Sequence, residues 1–262
     1  MKGSSILKAY TYTLAVLVYI PIMIMILYSF NDSSYVGAWK GFTLRWYKLV
    51  LGDPRIAQAL VNSLTVALAS SLVSTALAIP PTIIMARRPR AVDALVYPPI
   101  IIPEIAEAVA LMLLFIAISF PLGAVSVFIG HTAFNVAYAY ITLLPQGGKG
   151  ARLTQAARTL GAGPLTTFIK ITLPITIPGI LAALAITFML SFTDFIKTLF
   201  TAGPGFQTLP ILIWNRARRP GLTEYSSQNA LNAIASLLII TSITIAAIYT
   251  LHTIKTTRQQ PR

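Results

Sequence analysis

The sequence predicts an all-α integral membrane protein with six transmembrane helices, and three observations carry that prediction. Of the 262 residues, 56% are hydrophobic and only 10% charged, against about 45–50% apolar and roughly 25% charged in soluble domains. The apolar residues fall in runs of about 20, the length a helix needs to cross a hydrocarbon core ~30 Å thick. Such a core offers no water to backbone N–H and C=O groups, so a helix, which satisfies them internally, is the form each run takes. The basic residues, finally, sit in short links between the runs, as membrane orientation requires.

The runs cover about residues 10–30, 59–85, 94–119, 122–143, 177–200 and 231–251, and the chain reads as one transmembrane domain over 1–262. The first follows Lys2 and Lys8 as a secretory signal would. It exceeds a usual signal core, however, and "YSFNDSS" after it offers no small-residue cleavage site, so a retained helix is expected. The third holds Pro98, Pro99 and Pro103. The fifth follows Pro174 and Pro178, expected to break the preceding segment.

Counting Lys and Arg orients the spans. With the N-terminus inside, twelve face the cytoplasm: Lys2, Lys8, Arg87, Arg88, Arg90, Lys149, Arg152, Arg158, Lys170, Lys255, Arg258 and Arg262. Seven lie outside (Lys40, Arg45, Lys48, Arg55, Arg216, Arg218 and Arg219), all in the two longest links, and Lys197 falls within a span. Both termini are thus expected in the cytoplasm, with the protein multi-pass in the plasma membrane.

The same distribution sets aside nucleic-acid binding despite a net charge of +13, because that function needs its basic residues on one soluble face. Zero cysteines exclude disulfides, thiolate metal sites and cysteine nucleophiles.

One polar, basic stretch separates the fourth and fifth runs: "LTQAARTLGAGPLTTFIKITLP", residues 153–174, in a loop of about 146–176 on the cytoplasmic side. "ARLTQAARTL" is rich in helix formers, and Gly161 is placed for the left-handed position that ends a helix. Pro164 suits the first turn of a second helix. Ala156 and Ala157 are small enough to admit another body. Local physics therefore predicts two short helices, with an ordinary loop lying on the headgroups as the alternative.

The stretch resembles the "EAA" loop of binding-protein-dependent ABC importer permeases, whose pattern is EAA-x3-G-x9-I-x-LP. Gln155-Ala156-Ala157 is followed after three residues by Gly161, after nine more by Ile171, then by Leu173-Pro174. The motif's leading Glu is Gln155 here, which keeps hydrogen bonding without the charge. "YSFNDSS", "GFTLRWY", "NSLTVA", "PEI" at 103–105 and "TAGPGFQTLPILIW" are similar to the spermidine/putrescine-type branch.

The resemblance implies a type I importer (MetI-like) fold in which the loop is a coupling helix docked on a cytoplasmic ATPase dimer. ATP and Mg would be held by that separate subunit, with no cofactor in this chain. The resemblance also implies a second, distinct permease subunit, an extracytoplasmic solute-binding protein and alternating access of the rigid-body kind. By motif match Gln155, Ala156, Ala157 and Gly161 would dock the ATPase, with Arg158 and Leu160 added as helical neighbours. The implied solute is a polyamine, with another small solute, including an anion, as the alternative.

No ATPase motif is visible in the chain itself. "GGKGAR" fails the phosphate-loop pattern GxxxxGK[ST], because Gly150 stands where Ser or Thr must be and Leu143 where the first glycine must be. Gly161-Ala162-Gly163 does not complete GxGxxG, since Thr166 takes the last position.

Glu104, Glu107 and Asp194 are the acids within the expected spans. An ionisable group there costs at least ~2.5–3.5 kcal/mol on insertion scales and usually faces a bundle interior or watery path. Glu104 and Glu107, three apart, would share a helix face. Carboxylates lining a path suit a polycation; the alternative is glue between helices or subunits. Asp194, with Lys197 one turn on, is either part of a gate or path or one half of an internal ion pair.

Other signals are weaker. His131 and His252 lack ligand-spaced partners, so packing is expected and no metal site. Tyr35, Trp39, Trp46 and Tyr47 read as interface anchors, with contact to the binding protein as the alternative. "WNRARRPG" reads as a solvated basic loop face that could also help dock that protein. Asn31-Asp32-Ser33 meets the glycosylation sequon. An intramembrane enzyme lacks convergent nucleophiles, bases or ligands, and a self-gated channel leaves the cytoplasmic loop unexplained.

Overall fold

A computed structural model of the chain describes residues 2–33, 38–84, 90–219, 224 and 227–258. Met85, Arg87, Arg88, Tyr35, Gly221 and Arg262, all invoked above, lie outside the described residues. The architecture is all-helical, relieved among the described residues by one isolated antiparallel bridge between Asn31 and Phe42. The chain divides into two compact units, Met1–Gln58 with Leu212–Thr241, and Ala59–Ile211 with Ser242–Arg262.

In the first unit, α1 (Lys2–Tyr28) precedes a link that closes on α2 (Arg45–Leu51). Trp46 of α2 is buried, and its indole N–H donates to the Asn31 carbonyl at 2.7 Å. The Asn31 amide donates to Ala38 O at 2.7 Å, and its Oδ1 accepts from Lys40 N at 2.9 Å. Asn229, from α13 (Gln228–Arg258), donates to the carbonyls of Asn31 (3.0 Å) and Ser33.

Three expectations change here. Trp46 is a core residue rather than an interface anchor. Asn31 is a buried structural hub, not an accessible sequon. Arg216, at the end of α12 (Leu209–Ala217), is no solvated loop charge: it is largely buried against Asp53. Arg218 does stack over the Trp214 ring, 4.4 Å from its centroid.

The second unit begins with most of α3 (Pro54–Ile79), which continues as a π turn through Pro80–Ile84. Then come α4 (Arg90–Val96), α5 (Pro98–Ile101), α6 (Glu104–Ala117) and α7 (Ala124–Leu143). After α8 (Ala151–Thr159) and α9 (Pro164–Thr167), α10 (Leu173–Phe192) and α11 (Ile196–Thr201) complete it up to α12. Small buried residues (Ala78, Ala137, Ala139, Ala183) surround Tyr140 and Leu143 in its core. Short side chains of this kind let helix backbones approach where lipid supplies no hydrophobic drive. Gly147 makes the point: a Cβ there would stand 2.7 Å from the Thr82 carbonyl.

By length and apolarity, four helices suit a membrane span: Tyr10–Tyr28, Pro54–Ile83, Ala124–Gln146 and Pro164–Phe192. The expected third span is broken, Ala91–Ile101 and Glu104–Ala117 meeting at 109°, so the number reaches five only if that pair counts once. Pro103 explains the break, because a residue before proline is pushed to extended backbone and Ile102 has φ −68°, ψ 135°. The last apolar helix is the shorter Gln228–Thr244.

The fifth span is also displaced. It begins at Pro164, and Pro174 and Pro178 lie inside it without ending it. A π turn, Phe168–Thr172, precedes α10, so the Lys170 carbonyl that Pro174 would clash with already lies in altered helical bonding. The helix stops at Phe192, which puts Asp194 in a break and Lys197 on α11.

Candidate functional site

The residues singled out in the sequence gather at two places in the second unit. The first is the elbow between α8 and α9. α8 holds Gln155, Ala156, Ala157 and Arg158, and closes as expected: Gly161 takes φ +86°. Gly161 N donates to Arg158 O at 3.0 Å and Ala162 N to Ala157 O at 2.9 Å, the paired C-terminal bonds of a Schellman motif. Gly163 is extended and Pro164 starts the next helix. Gln155, Ala156, Arg158 and Gly161 are exposed and Ala157 is half-buried. Leu160, 87% exposed, projects from the corner, and a Cβ on Gly161 would meet open space.

The second is an ionic cluster around Lys197, expected from the sequence only as a candidate ion-pair partner of Asp194. Its side chain is 1% exposed, and Nζ donates to Glu104 Oε1 at 2.6 Å. Asp194 Oδ2 lies at 3.6 Å, Glu107 Oε2 at 4.0 Å, and the Phe134 ring centroid at 3.5 Å from Nζ. Glu104 and Glu107 therefore do share a face, at the start of α6. Asp194 caps α11, its Oδ1 accepting from Thr198 N (2.9 Å) and Thr198 Oγ1 (3.1 Å).

His131 is not isolated, as its sequence context suggested. Its Nε2 is 3.2 Å from Asp194 Oδ1 and 3.0 Å from Thr198 Oγ1, and its Nδ1 is 2.6 Å from Ser191 Oγ. The chain of polar contacts continues from Ser191 to Ser70 (3.0 Å), and Asn135 donates to Ser70 Oγ and to Thr187 O. This belt ties α3, α7, α10 and α11 together. Exposure separates the acids: Glu104 is 44% exposed at its side chain, Glu107 13% and Asp194 5%.

A further acid was missed. Asp93, just ahead of the expected third span, lies on α4 and accepts a hydrogen bond from the hydroxyl of buried Tyr140. The proline-rich stretch before Glu104 was the one sequence signal of a bent segment able to carry an acid inward. Among the described residues no group of three or more His, Cys, Asp and Glu is arranged to hold a metal ion.

The elbow and the cluster flank one helix. Pro164–Phe192 spans 29 residues, roughly 40 Å at 1.5 Å per residue, with the elbow before it and Asp194 just past its end.

The second unit thus sets a polar elbow and a buried ionic cluster at opposite ends of one apolar helix, and the comparisons give the class of protein to which it belongs. A family described as "Binding-protein-dependent transport system inner membrane component" matches residues 78–259, and the chain belongs to that family. It is similar to the spermidine/putrescine transport system permease protein PotC of Haemophilus influenzae, 28% identical over 253 residues covering 95% of this chain and 96% of the relative. The putrescine transport system permease protein PotI of Escherichia coli is 29% identical over 233 residues, covering 84% and 81%. A crystal structure of a bacterial ABC transporter involved in import of the acidic polysaccharide alginate shares the fold, with TM-score 0.70 at 15% identity, covering 95% of this chain and 96% of that one. The chain is thus a permease of the ABC importer class, in the inner membrane.

Proposed function

We propose that this chain is the permease subunit of an ATP-driven polyamine importer. Its likeness to PotC over 95% of its length is the observation that carries the reading. Two such permease subunits, this one and a distinct partner, would form the pathway through six membrane segments each, with both termini cytoplasmic. A separate ATPase dimer would bind ATP and Mg and drive alternating access through the elbow, and an extracytoplasmic binding protein would deliver the solute. The open surface of Gln155, Ala156, Ala157, Arg158, Leu160 and Gly161 supports docking there.

Glu104, Glu107 and Asp194 would line the route of the cation, Glu104 being the most accessible. A second reading, import of another small solute, is favoured by one observation: Lys197 already places an ammonium among these carboxylates. Uptake by the complete complex in proteoliposomes decides between the two. Loaded binding protein should stimulate ATP hydrolysis, and labelled spermidine or putrescine should accumulate. ATP hydrolysis driven by a binding protein loaded with some other solute, without polyamine uptake, would overturn the polyamine reading.

A further inference from the structure

A buried ammonium is costly unless other groups replace its water. Around Lys197 Nζ those groups are three carboxylates and the face of Phe134 at 3.5 Å. Charge-assisted hydrogen bonds and a cation–π face together form the chemistry that recognises a primary alkylammonium. The ammonium resident in this box is the chain's own.

Three features show that the box is not matched to lysine alone. Three carboxyl groups surround one ammonium, so their six oxygens outnumber the three N–H groups that lysine can donate. Glu107 Oε2 is buried without a hydrogen-bond partner, leaving an acceptor for one more N–H. Glu104 is 44% exposed while Lys197 is 1% exposed, so the box opens on the Glu104 side. The lysine side chain is an aminobutyl group, and putrescine and spermidine each contain one. The same pocket length fits either.

We propose that Lys197 is an intramolecular competitor of the transported amine: its ammonium occupies the Glu104–Glu107–Asp194–Phe134 box, and a substrate aminobutyl group displaces it, engaging Glu104 first. The proposal rests on the polyamine reading for the identity of the displacing amine. Its consequence is specificity with easy release. A monovalent cation gains little by exchanging with a tethered equal, whereas a polycation brings a further ammonium for the carboxylate that lysine leaves unpaired. Return of Lys197 then ejects the product.

The test uses the full permease complex in detergent, without binding protein. Lys197→Ala removes the competitor and leaves the space of its aminopropyl end. Direct spermidine binding should tighten about tenfold in this variant, as expected if the resident ammonium leaves the box free about one-tenth of the time. n-Butylammonium should raise the melting temperature of Lys197→Ala but not of the wild type, while tetramethylammonium should raise neither. Unchanged spermidine affinity together with no n-butylammonium stabilisation overturns the proposal.

If Lys197→Ala does not assemble, Lys197→Gln, which keeps much of the side-chain volume without the ammonium, takes its place: spermidine should bind it more tightly than the wild type, and unchanged affinity overturns the proposal. Absence of polyamine uptake by the wild-type complex in proteoliposomes would instead overturn the polyamine reading, and the n-butylammonium result would still judge the box.

Discussion

Lys197 and Glu104 are separated by 93 residues, yet they make the tightest charged contact of the cluster, at 2.6 Å. Changing Glu104 to Gln removes the carboxylate charge while keeping the shape. The loss of a charge-assisted bond to a buried ammonium should cost about 1.5–3 kcal/mol, read as a lower melting temperature in detergent. Polyamine uptake should fall with it, while the ATPase subunits still co-purify; unaltered uptake would return Glu104 to a packing role. Tyr140→Phe isolates a second pair. It leaves half-buried Asp93 without its hydroxyl donor and should destabilise the protein by about 1 kcal/mol, the net contribution of one hydrogen bond. Thermal denaturation measures it. Both pairs were invisible in the chain order: Glu104 could be picked out by its apolar neighbours but not its partner, and Asp93 was missed altogether.

At the scale of elements, the elbow was almost wholly legible and the broken segment was not. Gly161 ending α8, and Pro164 opening the next helix, follow from conformational rules acting within a few residues. Three predictions belong here. Ala157→Trp should cut uptake by about tenfold or more, the scale of a lost coupling free energy, while membrane insertion, followed by expression level and protease protection, stays normal. Gly161→Val forces a β-branched residue to φ +86° at about 1–2 kcal/mol, so it should uncouple as well, and a melting curve will show the strain. Gly147→Ala probes a different joint. Its Cβ would stand 2.7 Å from the Thr82 carbonyl, a backbone atom that cannot swing aside. The expected cost is about 1–3 kcal/mol, as for other forced insertions into packed structure.

Proline was misread in both directions at this scale. Pro103 bends its segment through 109°, with the residue before it pushed to extended backbone. Pro174 leaves its segment continuous, because it stands in the first turn of α10 and a π turn has already altered the bonding of the carbonyl it would disturb. Pro178 is tolerated inside α10 without an explanation in the structure. The residue type is identical in the two cases. The difference lies in the backbone ahead of each proline, extended at Ile102 and helical at Leu173.

For the whole molecule, the decisive experiment is reconstitution. The complete complex should hydrolyse ATP faster when its loaded binding protein is added, and omission of this chain should abolish that response. The amino-acid order by itself determined the all-helical membrane class, the approximate place of most apolar runs and the shape of the elbow. Each of these follows from burial of apolar side chains or from local backbone preference. Only the tertiary structure decided that Lys197 is sheathed by Glu104, Asp194, Glu107 and Phe134, that His131 joins Asp194, and that Asn31 and Trp46 are structural. Those pairings join residues far apart in the chain, and inside an apolar unit a charge is placed by whatever opposite charge the packing brings within reach.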